Sequence, residues 1–471
     1  DAGDSADAGE GSAADGAAVA AEDAQAPEAP WDPDFKEDAE AVERFAIDVQ
    51  VPRDVPAGTL VLRGAKVITM RGDEVIEDAD LVITNNRISQ IGPKGTLALP
   101  ADARVVDVTG KIITPGFVDT HAHWFEIRRG VIDKQHWGFL ANVAYGVTAG
   151  LDVQTATNDM FAYQDMIDAG RMIGLRAFST GPGVFSDNAF TSADHAYGVL
   201  KRYRDHYRTR NIKAYIAGNR KQRQYLMQAA AELGMLPTTE GALDLKLDLT
   251  HAIDGYWGSE HALAVTPIYD DVVQLIAGTG IGYTPTLLVA YGGPWAENYF
   301  YTRESPYDDE KVRRFMPYDV LAEKSLRRRW FADQEHVFPR LAADAAKIMR
   351  AGGKVGVGSH GQFQGLGYHW ELWALASGGL TPMEALRAAT LGGAEVIGYE
   401  AAIGSLEPGK YADLNVFDRD PSKDIRNTSS LSLVMANGRL YDAGSLMQLA
   451  PNEVEAPVFW FAKEAPPNRL H

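Results

Sequence analysis

The chain has no cysteine in 471 residues. That removes disulfides, zinc ribbons and thiol nucleophiles together, leaves any metal to His, Asp, Glu or a modified Lys, and makes the redox compartment unreadable. Long apolar runs are missing too. None approaches the ~18 residues of a membrane span, so no membrane-spanning segment is expected. Basic charge is short: 45 Lys and Arg stand against 64 Asp and Glu, a net charge of −19. Such a balance argues against nucleic acid or an anionic membrane as partner and towards small-molecule ligands. What is present is 45% hydrophobic content, enough at this length for one large domain and a smaller one. The chain begins at Asp1 rather than Met, which suits a processed or truncated chain.

Residues 1–30 hold twelve Ala, four Gly and eight acidic residues with no Lys, Arg or aromatic. A segment of that composition cannot bury enough apolar surface to offset its ordering entropy, so 1–57 is expected to be an acidic, largely disordered linker. From Thr59 short alternating runs begin (LVLRGAKVITM, VIEDADLVI, RISQIG), separated by Arg71-Gly72-Asp73 and Asn85-Asn86. These are hairpin signals. The pattern returns at 410–418 and 431–442, with Asn437-Gly438 as its tightest turn. Strands at both chain ends commonly pair, so 58–112 and 402–445 are expected to build one composite β-sandwich, with 446–471 as a C-terminal extension.

Between them short apolar runs alternate with helical patterns. Eight strands are expected, at 112–120, 146–153, 174–180, 211–217, 234–240, 256–261, 281–290 and 354–360. Repeated strand-then-helix of this length predicts an α/β fold, a (β/α)8 TIM-like barrel over 113–401. The helix after the eighth strand has Thr381 as N-cap, Pro382 in its first turn and Glu384 closing a capping box.

The first of these strands runs into His121 and His123, which project to one side because alternate strand residues share a face. Two neutral imidazoles side by side make half of a metal site. On its own the pair also suits two satisfied polar side chains on a half-buried strand. Four more polar residues end other strands: Lys213, Glu240, His261 and His360. A closed barrel would gather all six at one mouth, where such folds keep their chemistry. Six donors exceed one tetrahedral zinc with an open position and suit two ions ~3.5–4 Å apart. The cofactor expected is one or two divalent ions, Zn with Mn or Fe as alternatives. Lys213 as an ammonium has no lone pair to give, whereas a CO2-derived carbamate on it would bridge two ions.

Further residues follow the strands. Tyr215, Arg220 and Arg223 come after the fourth and could anchor a substrate carboxylate, although the arginines of RKQRQYL also read as a solvated helix face. Tyr291 and Trp295 follow the seventh and suit pocket lining or core packing. His369 and Glu371, after the eighth, suit either a hydrogen bond to a ligand residue or helix packing. Asn158 and Asp159 could reach the mouth. His251 reads as structural, and His136, His195, His206, His336 and His471 carry no constellation.

The order PGFVDTHAH, a Lys on the fourth strand, SEH on the sixth, then TPMEALRAATLGGAEVIG and GSLEPGKYADLNVFD resembles the amidohydrolase superfamily, in particular its imidazolonepropionase-like and prolidase-like members. HGQFQGLGYHWELW is similar to the amidohydrolase module that follows a TolB-like β-propeller in some bacterial proteins. The resemblance covers roughly 58–445. It implies a metal-dependent hydrolase of amide or cyclic amide bonds, acting on peptide-like or acylated amino acid substrates. It also implies a periplasmic or secreted location, a homo-oligomer and a propeller domain or chain as partner. The family pattern places His on the fifth strand and Asp on the eighth. This sequence carries Glu240 and His360 there, which keeps one imidazole and one carboxylate and leaves proton transfer to either. A metal-binding barrel serving as a structural or binding subunit is the second reading.

Overall fold

The computed structural model describes residues 45, 47, 49–124, 134–154, 159–184, 190–241 and 243–463. The stretch 1–44, Asn158, the side chain of Asp159 and His471 lie outside the described residues. The chain divides into two units, Asp1–Val51 and Pro52–His471. In the first, Phe45, Ile47, Val49 and Val51 are exposed. The second carries all the strands and helices among the described residues. It also includes the last residues of the expected linker. There the Asp54 amide donates to the Asp168 carbonyl at 2.7 Å and the Asp54 carboxylate pairs with Arg439 at 2.5 Å.

The fold is mixed α/β. Both chain ends meet in one nine-stranded sheet, where Leu414–Phe417 runs antiparallel to Ile112–Pro115, with Asn415 opposite Thr114. Its hairpins turn where the sequence predicts: Asn437 and Gly438 take left-handed φ values of 50° and 75° between Leu431–Ala436 and Arg439–Asp442. The sheet continues past the expected boundary at 445, because Gln448–Ala450 returns from the 442–447 turn to pair with Arg439–Asp442.

Eight short strands match the eight expected ranges, seven of them lying inside and the first running two residues past its expected end at 120. Phe117–Ala122, Val147–Asp152 and Arg176–Ser179 form a parallel three-stranded sheet. Asn211–Lys213, Leu236–Thr239, Gly258–Glu260, Gly282–Thr284 and Lys354–Val355 form a parallel five-stranded one. Parallel bridges join their edges, Asp119 to Val357 and Val184 to Ala214. The expected first strand is split at Gly116, where the chain leaves the nine-stranded sheet for the parallel one. A Cβ there would lie 2.0 Å from the Thr148 hydroxyl, so only glycine permits the crossing.

Helices alternate with the parallel strands, and their caps follow the sequence. Asn219 and Gln222 form a capping box at Arg220–Leu233, and Thr381 with Glu384 forms the expected one at Pro382–Arg387. Helix Leu366–Ala376 is buried along nearly its whole length. It stacks Tyr368 on Phe117 with centroids 5.4 Å apart, and the Tyr368 hydroxyl donates to the Val118 carbonyl at 3.1 Å. Burying each such aromatic contributes roughly 1.5–3 kcal/mol and fixes the strand that carries the histidine pair.

Candidate metal centre

Four imidazoles converge at the C-terminal ends of the parallel strands. His121 is fully buried, and its ring centroid lies 5.0 Å from that of His123, 4.9 Å from His261 and 5.1 Å from His360. His123 and His360 are 4.7 Å apart. One ligand nitrogen from each of His121, His261 and His360 falls within 4.8 Å of the others. The pair from the first strand behaves as strand alternation requires, while His261 and His360 reach the cluster otherwise. His261 directly follows its strand and His360 stands five residues past the end of Lys354–Val355, each with a left-handed φ, 67° and 59°, a conformation costing a non-glycine residue roughly 1–2 kcal/mol. The turn carrying His360 sits against the first strand because glycines flank it. A Cβ on Gly361 would lie 2.0 Å from the His123 carbonyl, and one on Gly358 2.6 Å from the His121 Cβ.

Each of three rings has a partner for its outer nitrogen. His121 Nδ1 lies 2.7 Å from the Glu260 carboxylate, whose other oxygen takes the Thr238 hydroxyl proton. His261 Nδ1 lies 2.5 Å from the Thr286 hydroxyl, and His360 Nδ1 lies 3.1 Å from the Gln362 amide. Below them Asp119 accepts from the backbone amides of His121 and Ser359 at 3.2 and 3.0 Å and from the Ser359 hydroxyl at 2.5 Å, tying the first strand to the eighth.

Burial, with the charge that His261, His123, Lys213 and His360 would add beside it, holds the His121 imidazole well below its usual range. It is neutral at physiological pH, and with Nδ1–H donated to Glu260 its Nε2 carries a lone pair. That Nε2 lies 3.1 Å from Nε2 of His123. Two nitrogens bound tetrahedrally at ~2.0–2.1 Å lie about 3.3 Å apart, so a pair at this spacing suits a shared ion. The donor set thus fits a divalent metal.

Lys213 and Glu240 meet beside this cluster, Nζ to Oε1 at 2.5 Å, and the same oxygen lies 3.3 Å from Nε2 of His261. Burial disfavours the charge of Glu240, but Lys213 and His261 outweigh it and hold the carboxyl well below the usual carboxylate range. Burial pushes Glu260 up to about 7 and Asp119 up to about 6. As an ammonium, Lys213 neutralises Glu240 directly; a carbamate in its place would set two anions together unless cations separated them.

The six expected ligands are therefore brought together. Tyr215 lies near the Lys213 ammonium, 5.6 Å from its ring centroid, and half-exposed Tyr291 lies edge-on 6.4 Å from His261. Two further expected site residues stand elsewhere. Arg220, at the exposed start of its helix, pairs with Asp254 at 2.7 Å. His369 is buried, with Nδ1 3.0 Å from Thr428 and Nε2 2.8 Å from the Tyr145 carbonyl. Arg223 is not on a solvated face: it is buried and donates to the Gly218 carbonyl at 2.7 Å. Asp119, Glu260 and Thr286 escape the sequence reading. Asp119 alone had a signal, since 119, 121 and 123 share one strand face. A cavity of about 150 Å³, lined by Arg87, Arg176, Tyr411 and Asp413, lies beside the opposite strand ends. Its Arg176 is paired with Asp413 at 2.6 Å.

Residues 317–441 match the family model described as the amidohydrolase family. Adenine deaminase of Deinococcus deserti is 30% identical over 157 residues, 32% of this chain and 27% of the deaminase. Dihydroorotase of Mycobacterium tuberculosis is 40% identical over 73 residues, 16% of each chain. The chain thus matches less than a third of these relatives' own length. A solved Xaa-Pro dipeptidase with methionine bound in its active site has a TM-score of 0.61 at 19% identity, over 82% of this chain and 100% of that one. At that identity the likeness is one of fold. The chain is thus similar to the amidohydrolase family over 317–441 and shares the fold of the solved dipeptidase over 82% of its length.

Proposed function

We propose that the chain is a metal-dependent hydrolase of C–N bonds in a small amide, its site held at the mouth of a (β/α)8 barrel spanning 113–401 and closed at one side by the composite β domain. The observation that carries this reading is the convergence of His121, His261 and His360, three neutral-capable donors within 4.8 Å of one another, next to His123 and Glu240. The bridges Asp119–Val357 and Val184–Ala214 support closure of the two parallel sheets into one barrel.

His121, His123, His261 and Glu240 are the proposed ligands, with His360 completing the set. When bound, such an ion supplies a water of pKa near ~7 and polarises the substrate carbonyl. The residues do the rest. Glu260 and Thr286 hold two ring tautomers so that Nε2 faces inward. Lys213 keeps Glu240 ionised. A histidine bound to metal is not a base, so where His360 is a ligand the ionised Glu240 takes the proton of the attacking water and passes it to the departing nitrogen, and where it is not His360 does so. His360→Asn separates these: loss of metal marks a ligand, whereas retained metal with lost turnover marks the proton carrier. Tyr215 and Tyr291 are proposed to line the substrate pocket.

The test is metal content together with turnover on Xaa-Pro dipeptides, N-acyl amino acids and cyclic amides, before and after chelation. Hydrolysis should vanish on chelation and return with Zn or Mn. Hydrolysis indifferent to chelation sinks the proposal, and full metal occupancy with no turnover favours a binding subunit instead. Mass measurement of the native protein reads a carbamate on Lys213 directly.

A further inference from the structure

Past the strand Gly282–Thr284 the chain makes a three-ten turn, Leu287–Val289, with Thr286 at its N-cap. Thr286 has φ 43° and ψ 59°, a left-handed conformation that a β-branched residue rarely adopts. A threonine at an N-cap ordinarily turns its hydroxyl onto the amides of its own turn. Here it makes no such bond, and its Oγ1 lies instead 2.5 Å from Nδ1 of His261. The amides it leaves are taken by another element. Leu287 and Leu288 donate to the two oxygens of Glu371, at 2.7 and 2.8 Å, from the buried helix Leu366–Ala376. Both Thr286 and Glu371 are fully buried.

A left-handed position that served only to turn the chain would suit glycine or asparagine. A threonine there is explained by what its hydroxyl touches. A buried carboxylate is costly without donors, and burial pushes the Glu371 carboxyl up to about 8. The two amides supply the donors, and Glu371 in return replaces the cap that Thr286 does not provide.

We propose that Thr286 and Glu371 are positioning residues for His261: Glu371 caps the turn in place of Thr286, and the released hydroxyl accepts Nδ1–H, which fixes the ring and presents Nε2 to the site. This rests on His261 being a metal donor. With its outer nitrogen committed to Thr286, Nε2 lies 3.3 Å from Glu240, on the side where the other imidazoles gather. The role is distinct from ligation, since neither residue contacts the ring through Nε2.

The test uses the full chain and two readouts. The first is Zn2+ affinity by competition with a chromogenic chelator, with melting of the metal-free protein as a check on folding. The second is the 15N signature of the His261 tautomer in metal-free protein. Thr286→Val, which keeps shape and loses the hydroxyl, should weaken Zn2+ binding roughly 10–100-fold and shift the tautomer. Thr286→Ser should restore both. Glu371→Gln, whose NH2 group cannot accept a backbone N–H as a carboxyl oxygen can, should act in the same direction, and the double variant Thr286→Val with Glu371→Gln should be no weaker than the worse single one. Wild-type affinity and tautomer in Thr286→Val would overturn the proposal, as would Thr286→Ser behaving like valine or a double variant equal to the product of the singles. Should Thr286→Val not fold, Glu371→Gln read by NMR decides the same question. A wild-type protein that binds no Zn2+ but shows the tautomer shift refutes the metal reading and leaves the positioning intact.

Discussion

The bond between Glu260 and His121 can be dissected by replacing the carboxylate in two steps. Glu260 is buried, with Oε2 2.7 Å from His121 Nδ1 and Oε1 on the Thr238 hydroxyl. Glutamine in one orientation keeps both hydrogen bonds, its carbonyl facing the imidazole and its amide facing Thr238, so Glu260→Gln removes charge alone. A hydrogen bond to a charged partner contributes ~1.5–3 kcal/mol against ~1 kcal/mol for a neutral one. The difference of about 1.4 kcal/mol is about tenfold in affinity. Glu260→Leu also leaves the buried imidazole N–H without an acceptor, a further cost of ~1–3 kcal/mol, and the loss should approach 100-fold. Chelator competition with Zn2+ reads both. Because burial pushes Glu260 up to about 7, its charge is disfavoured in the metal-free fold at neutral pH, and Glu260→Gln should not lower the metal-free Tm. Two variants with wild-type affinity would refute the reasoning. So would a fall in metal-free Tm with affinity unchanged, which would make the carboxylate a packing device.

Gly361→Ala places a Cβ 2.0 Å from the His123 carbonyl at φ +70°, so left-handed strain of ~1–2 kcal/mol is joined by displaced backbone. Urea denaturation should show a loss well above that of Gly379→Ala, which has φ +93° and nothing within 4 Å, and equal losses would count against the close approach. Arg220→Ala should leave turnover and metal affinity unchanged, because the guanidinium is half-exposed and held by Asp254; a raised KM would return it to the pocket. Glu371, raised from 4.5 to about 8 by burial, holds its proton in the folded chain where the unfolded chain has lost it. Stability should therefore fall as pH rises between about 4.5 and 8, with a limiting slope of about 1.4 kcal/mol per pH unit. Glu371→Gln should flatten that slope in denaturation measured across the range, and an unchanged slope would refute the assignment.

The eight parallel strands were legible because apolar runs of strand length alternate with helical patterns, and each observed strand but the first, which runs on to Ala122, lies inside its expected range. What the pattern could not carry was where the strands stop. The seventh was expected to run through TPTLLVA to residue 290, since threonine, leucine and valine suit a strand, yet it ends at Thr284. The amides of Leu287 and Leu288 are held by Glu371, 84 and 83 residues further along the chain, and no local propensity reports a partner at that distance. Arg223 was misread for a related reason. In RKQRQYL the charges look like one solvated face, but the Gly218 carbonyl lies within reach of that single guanidinium.

The site was legible as a set of residues and not as a set of roles. His121 and His123 could be paired from alternation alone. Glu260 could not be joined to them, since on a regular strand it would face away from His261, its neighbour. The left-handed φ of 67° at His261 breaks that alternation, so the glutamate stays on the strand face that meets His121 while the histidine swings into the same cluster. His360, at 59°, does the same beside Ser359, whose hydroxyl is bonded to Asp119. Two of the four imidazoles thus reach the centre from left-handed turns past their strands, each beside a carboxylate or hydroxyl that holds the first strand. Reverting either turn to strand geometry would send the histidine away from the cluster, so the strain at 261 and 360 is part of what assembles the donor set rather than a by-product of it.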